Sequence, residues 1–437
     1  MALTDNAFST DSHGWAELLP KRQTSPSLSG SIRTPWVVVG AGVTGLACAR
    51  RLAQLHRDDE IILLEARSVG QGTSGRNSGF AVAISQTDGA FDTKKIKKFR
   101  REDRIKSAGL EMLRAEVDVH NIDCQWSDAG FHHTAADQNA MRECANFLQY
   151  LDAMEITHTP LDQPMLEERL GTTLYRSGVH VPGGVLLQPA ALVQGLADNL
   201  PANVSLYEQS PVLKIESGNP LVLHLKNAEV KADKVLLATN YEATKLGFLR
   251  RHVIGSTLAA SVTRILNDDE LSTLGCLNEW GVLSLHDGGA TVRLTKDRRL
   301  FIRNTAEYHA AELLSDQQLA QRQLIHRDGY EKRFPQLAHV PFEFAWSGVE
   351  GISLNGTTFF GRQRENVYLA GGYNGSGLSR GTAFGVSLAD YASGEHSSLI
   401  DDCMAAAPAS WIPPRPFLDI GAFFTVRSRF KGVGQDR

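Results

Sequence analysis

One run constrains this chain more than any other: Val37-Val38-Val39-Gly40-Ala41-Gly42-Val43-Thr44-Gly45-Leu46-Ala47. Three β-branched residues read as a strand. Leu46, Ala49, Leu52 and Ala53 then recur at helical spacing. The pattern is strand, tight turn, helix. Gly40 permits the turn, Gly42 lets backbone approach an anion, and Gly45 lets helix and strand pack closely. The helix N-terminus presents free N–H groups and a partial positive charge, which suits a pyrophosphate. Ile61-Ile62-Leu63-Leu64 reads as the next strand and runs into Glu65, twenty residues beyond Gly45. A carboxylate there can accept both hydroxyls of an adenosine ribose. The chain therefore opens with a dinucleotide-binding βαβ unit.

The 437 residues suggest two to three domains, and 42% apolar content is ample for a core. A net charge of −4 gives no support for a nucleic-acid partner. Cys48, Cys124, Cys144, Cys276 and Cys403 are scattered with no C-x-x-C pair. That spacing argues against a disulfide framework and against a metal site, and it fits a reducing, cytoplasmic setting. Met1 to Glu17 lacks the basic and apolar regions of a signal peptide. No apolar run reaches the length of a membrane span.

Residues 1–31 read as a polar arm in which Trp15, Leu18 and Leu19 dock onto the body. Gly70 to Phe80 packs four glycines among small hydroxyl residues, with Arg76 as its one charge, and can wrap closely on a ligand. Residues 92–120 read as helical. Their charge run from Lys94 to Arg101 reads as a solvated face, and Ile105, Ala108, Met112 and Val117 as a buried stripe. Val235 to Asn240 suits a central strand covered on both faces. Between 251 and 346, short strands joined by Gly/Asp turns form a separate β-rich layer. Val367 to Leu378 is a second strand-to-glycine turn, followed by a small-residue helix. Phe417 to Phe430 mixes aromatic and basic residues. It reads either as an interfacial helix making weak peripheral membrane contact or as a segment packed on the body.

Four stretches in this order carry a resemblance: G-A-G-V-T-G-L with Glu65, G-T-S-G-R-N-S-G, V-L-L-A-T-N, and G-G-Y-N-G-S-G. Together they resemble the D-amino-acid-oxidase-like flavoenzymes, and within them the γ-glutamylputrescine oxidase-like bacterial group. The resemblance implies an α/β fold. A Rossmann-like FAD domain of the glutathione-reductase type (32–95, 165–250, 347–395) interleaves with a substrate domain of β-sheet plus helices (96–164, 251–346). Residues 396–437 form the tail.

The resemblance also implies where FAD lies. Glu65, Ala66 and Arg67 take the ribose end, and Gly40, Gly42, Val43, Thr44 and Gly45 take the pyrophosphate. Thr73, Ser74, Arg76, Asn77 and Ser78 line the flavin side, with Ala238 nearby. Val212 meets the adenine. Gly372, Gly375, Ser376, Gly377 and Leu378 meet the pyrimidine end of the isoalloxazine, where a helix N-terminus stabilises reduced flavin. Some relatives tether flavin through a cysteine before this turn. None lies between Cys276 and Cys403 here, which implies non-covalent FAD.

One residue departs from the family pattern. Where amino-acid oxidases of the family carry a carboxylate-clamping arginine, this chain has Glu350. A carboxylate there holds an ammonium instead. Trp346 and Tyr373 read as walls of a cation cage or as core. No general base is implied; Arg293 and Lys296 are the candidates to face the flavin, against the plain reading of solvated strand charges. The implied reaction oxidises the C–N bond of a primary or secondary amine by hydride transfer to flavin, with O2 or another acceptor. The alternatives are C–O oxidation of a hydroxy acid or polyol, and a flavin electron relay without its own substrate.

Overall fold

A computed structural model describes residues 13–86, 89–286, 288–309, 311–431 and 433–437, except the side chains of 426–431. Strand Gly30–Val39 is the axis of the first sheet. Its second half, Trp36 to Val39, is buried throughout. Parallel strands bond both its edges, Ala228–Leu237 on one side and Ile61–Leu64 on the other. The sheet runs Phe359–Arg364, Val367–Gly371, Ala228–Leu237, Gly30–Val39, Ile61–Leu64, Val204–Tyr207. Only the outermost pair, Phe359–Arg364 with Val367–Gly371, is antiparallel. The near-continuous Val, Ile and Leu runs are what a parallel sheet covered on both faces requires. Lys214–Glu216 and Leu221–His224 extend it as an antiparallel flap.

Three helices cross on one face at backbone contact: Val43–Leu55, Ile96–His120 and Gly377–Ser393. A Cβ at Gly385 would stand 2.2 Å from the Thr44 carbonyl oxygen, and one at Gly109 would stand 1.9 Å from that of Ser379. The buried stripe of Ile96–His120 contains Ile105, Lys106, Gly109, Leu113 and Val117, while Ala108 and Met112 are only half-buried. The lysine displaces the stripe read from the sequence by about one position.

The second sheet orders Phe342–Ile352, Ile254–Thr263, Leu300–Glu307, Thr291–Leu294, Trp280–Ser284, Phe131–Ala135, Ser177–Val181, Thr159–Asp162. Its core gathers Trp280, Val282, Leu294 and Ile302 against Tyr330 and Phe334. Strand Ser177–Val181 lies in this sheet, and Phe342–Ile352 continues unbroken past residue 347. The substrate-side layer therefore draws on more of the chain than boundaries at 165 and 347 would give it.

The arm docks through Trp15, which is 1% exposed. Its ring stacks on Phe301 and meets Trp346 edge-on, with centroids 5.6 and 5.4 Å away. At the other end, helix Phe417–Lys431 lays Leu418, Gly421 and Ala422 along the central cleft. Ile420, Phe423 and Phe424 face solvent. One side of the helix is committed to the cleft, so the segment packs on the body. Among the described residues, no helix is long and apolar enough to cross a membrane.

Candidate active site

A cleft of about 1750 Å³ runs between the two sheets. Its inner end is built on the first βαβ unit. Gly40 takes φ +100°, a conformation that favours glycine, and its N–H bonds the Leu64 carbonyl at 2.7 Å. A Cβ on Gly45 would lie 1.7 Å from the Gly40 oxygen, so only glycine lets the helix start this close to the turn. Gly42 precedes the first helical residue, and a Cβ there would come within 2.8 Å of Ser74 Oγ.

Glu65 closes this end. Its Oε2 accepts from the Ala41 N–H at 2.8 Å and its Oε1 from the Arg67 N–H at 2.9 Å. Burial pushes its carboxyl up to about 7, against the pull of those two N–H bonds. Ser210 donates its N–H to the Glu65 carbonyl, and Val212 lines the cleft just beyond, beside Ala66 and Arg67.

The Gly70–Phe80 segment forms one wall. It contains the short helix Thr73–Arg76. Ser74 Oγ accepts the Val43 N–H at 3.1 Å, so this wall and the first helix present polar groups to one space. Thr73 donates to the Val349 carbonyl. Arg76 is buried and donates to the carbonyls of Gln71 and Ser347. Asn77 caps its own turn, accepting the Gly79 N–H and donating to the Ser74 carbonyl. The arm fastens this wall from behind: His13 bonds the Gly70 carbonyl, and the Trp15 indole N–H bonds the Asn77 carbonyl. Burial and the nearby Arg76 hold His13 down to about 3, hence neutral.

The second glycine turn closes the outer part. Gly372 and Gly375 take φ +72° and +90°, whereas Gly377 has ordinary helical backbone. Asn240 Oδ1 accepts the Gly372 N–H at 2.9 Å, which ties this turn to the end of Ala228–Leu237 next to Ala238. Ser376, Gly377 and Leu378 line the cleft; Gly45 and Gly372 stand behind it. Glu350, opposite Ser256 across the second sheet, is half-buried and lines the cleft. A Cβ at Gly375 would lie 3.9 Å from its Oε2.

Four residues fall elsewhere than the sequence suggests. Arg293 is fully buried away from the cleft, and its Nη1 donates to the carbonyls of Ser78, Gly79 and Leu187. It holds the flavin-side wall in place and does not face a ligand. Lys296 is exposed in the turn after Thr291–Leu294. Trp346 touches the cleft, but its indole is enclosed by Gly14, Trp15 and Phe301, and its N–H is spent on the Arg76 carbonyl. The Tyr373 hydroxyl bonds Thr44 Oγ1 at 2.9 Å, and its ring packs edge-on against Phe384. Neither aromatic leaves a face free to hold a cation. Sequence reading missed Lys106, Arg303, Tyr308 and Arg380, which all line the cleft.

The residues present fit FAD. The Glu65 carboxylate, a helix start opened by three glycines, and a second glycine turn lie along one cleft. Thr239 Oγ1, buried beside them, has no partner among the described residues. The arrangement defines a flavin-dependent oxidoreductase. The model of the DAO family, FAD dependent oxidoreductase, matches residues 35–391, and the chain belongs to this family. It is 27% identical to the gamma-glutamylputrescine oxidoreductase of Escherichia coli (strain K12), covering 92% of this chain and 95% of that protein. It shares its fold with glycine oxidase from Geobacillus kaustophilus (TM-score 0.68, 19% identity, 84% of this chain and 96% of that one). It also shares it with L-proline dehydrogenase from P. horikoshii (TM-score 0.67, 16% identity, 85% and 95%).

Proposed function

We propose that this FAD-dependent oxidoreductase oxidises the C–N bond of an amine that carries a second, cationic group. Glu350 is the observation that carries the reading. It puts a carboxylate on the cleft wall beside the glycine turn at Gly375. A half-buried carboxylate favours a cationic ligand group and repels an α-carboxylate. The reacting amine must be neutral to give up hydride, so the group Glu350 holds is a distal ammonium, as in a diamine or its acylated derivative. The substrate named for the E. coli relative supports this class.

FAD bound in the cleft supplies the electron sink, and water hydrolyses the released imine. The chain's own residues position and exclude. Gly375 leaves room beside Glu350, and helix Phe417–Lys431 covers part of the cleft with Leu418, Gly421 and Ala422. None of the five cysteines lines the cleft, which supports a cofactor held without a cysteine tether. A cytoplasmic location is part of the same proposal.

Anaerobic mixing of the yellow holoprotein with an amine panel tests it. Diamines and acyl-diamines should bleach the flavin about a hundredfold faster than glycine, sarcosine or D-alanine, because an unpaired buried charge costs several kcal/mol. Glu350→Gln should narrow that gap. Small amino acids as the best substrates, or an unchanged ranking in Glu350→Gln, would end the cation-site reading.

A further inference from the structure

Two cations stand buried in the wall of the cleft. Lys106 is 4% exposed and Arg380 is 6% exposed, and both line the cleft. They sit where helices Ile96–His120 and Gly377–Ser393 cross. Neither has its donors satisfied among the described residues. Lys106 Nζ makes one hydrogen bond, to Ser85 Oγ at 2.6 Å. Arg380 makes two long ones, 3.4 Å to the Tyr373 carbonyl and 3.4 Å to Glu102 Oε2, and its Nε has no partner. An ammonium offers three donors and a guanidinium five, so most of this capacity is unspent.

The nearest carboxylates do not close the account. Asp103 Oδ1 is taken by the Ser85 N–H at 2.6 Å. Glu102 is shared between Arg380 at 3.4 Å and Lys98 at 3.8 Å. Three cations thus face two carboxylates, and the cation–carboxylate contacts among them are 3.4 and 3.8 Å. Buried donors left open toward a cleft want an acceptor, and a buried cation wants a negative one.

We propose that Lys106, Arg380 and Ser85 form a carboxylate-binding subsite for the far end of the substrate. This goes beyond the amine reading. With Glu350 and this pair lining one cleft, an amine that also bears a carboxylate finds a partner for each charge. The desolvated Lys106, drawn down to about 7 by burial and by Arg380, gains most from an anionic partner.

The test uses holoenzyme without turnover, so it reads separately from the amine screen. Flavin absorbance is titrated with 4-aminobutyrate and, as the control that keeps the ammonium but lacks the carboxylate, 4-aminobutyramide. The carboxylate should perturb the spectrum saturably and the amide should not. Lys106→Met and Arg380→Met should each weaken carboxylate binding about tenfold or more, as loss of a charged hydrogen bond implies. Lys106→Arg should retain it. If a methionine variant fails to hold FAD, Lys106→Gln and Arg380→Gln, which remove the charge but keep a polar contact, carry the test, with the same weakening expected. Three results would overturn the subsite: no saturable change with the carboxylate, equal binding of carboxylate and amide, or unchanged affinity in both cation variants. So would a shifted flavin midpoint potential in Lys106→Met with carboxylate affinity intact, because the cations would then serve the flavin alone.

Discussion

Glu65→Gln probes the cofactor site most sharply. The carboxylate receives two backbone N–H groups, from Ala41 at 2.8 Å and Arg67 at 2.9 Å. Glutamine has one acceptor oxygen and one amino group, so one backbone N–H must face another donor. The FAD dissociation constant responds instead to the bond a ribose hydroxyl makes to the charged carboxylate; losing a charged hydrogen bond costs about 1.5–3 kcal/mol, which is about 10- to 100-fold in that constant. Proton linkage adds a second readout. Burial raises this carboxyl from 4.5 to about 7 in the free protein. That raised value means ionised Glu65 costs the apoprotein stability, a cost absent at low pH that builds as pH rises through 4.5 toward 7. Ribose hydroxyls donate to the ionised form, so binding FAD expels a proton and recovers part of that cost. Wild-type affinity should therefore weaken below pH 7, by up to about tenfold per pH unit. Glu65→Gln should show no such slope. Apoprotein titrated with FAD, followed by flavin fluorescence between about pH 5.5 and pH 8.5, measures both effects across the relevant carboxyl range. A variant within about twofold of wild type at the alkaline end, or one that keeps the slope, would refute the ribose assignment.

Other outcomes follow from the same geometry. Acid precipitation should leave the yellow colour in the supernatant; colour in the pellet would mean a covalent link. Gly45→Ala should abolish FAD binding, because its Cβ would sit 1.7 Å from the Gly40 oxygen; stoichiometric FAD in the purified variant would contradict the close approach. Arg293→Met should lower the melting temperature and loosen FAD without changing which amines react, since it takes the guanidinium donor from the carbonyls of Ser78 and Leu187, whereas that of Gly79 keeps the Leu187 N–H. A change in substrate ranking would return Arg293 to the cleft.

The parts of the site legible in the sequence are those where backbone does the work. Glycine at 40, 42 and 45, a carboxylate at the end of the next strand and a second glycine turn announce themselves, because few other residue types tolerate that geometry. Side chains on strands were harder. Arg293 and Arg303 lie on neighbouring strands of one sheet, yet one props the loop wall and the other reaches the cleft. That difference depends on which elements cover each part of the sheet, which the local pattern does not encode. Lys106 was hidden for another reason. It follows a run of solvated Lys and Arg residues, and only the crossing with Gly377–Ser393, more than 270 residues later in the chain, buries it. The C-terminal helix kept two readings open because its composition fits water, lipid or protein equally.

The docked arm has a consequence for how the chain is made. Trp15 leaves the ribosome well before Phe301 and Trp346, yet its socket is built from those two residues. The arm cannot seat until translation has passed both. Its seating also supplies the His13 and Trp15 bonds to the Gly70 and Asn77 carbonyls. The Gly70–Phe80 wall, though it precedes the second sheet in the chain, is therefore finished only when that sheet exists, and its completion reports that both layers of the protein have come together.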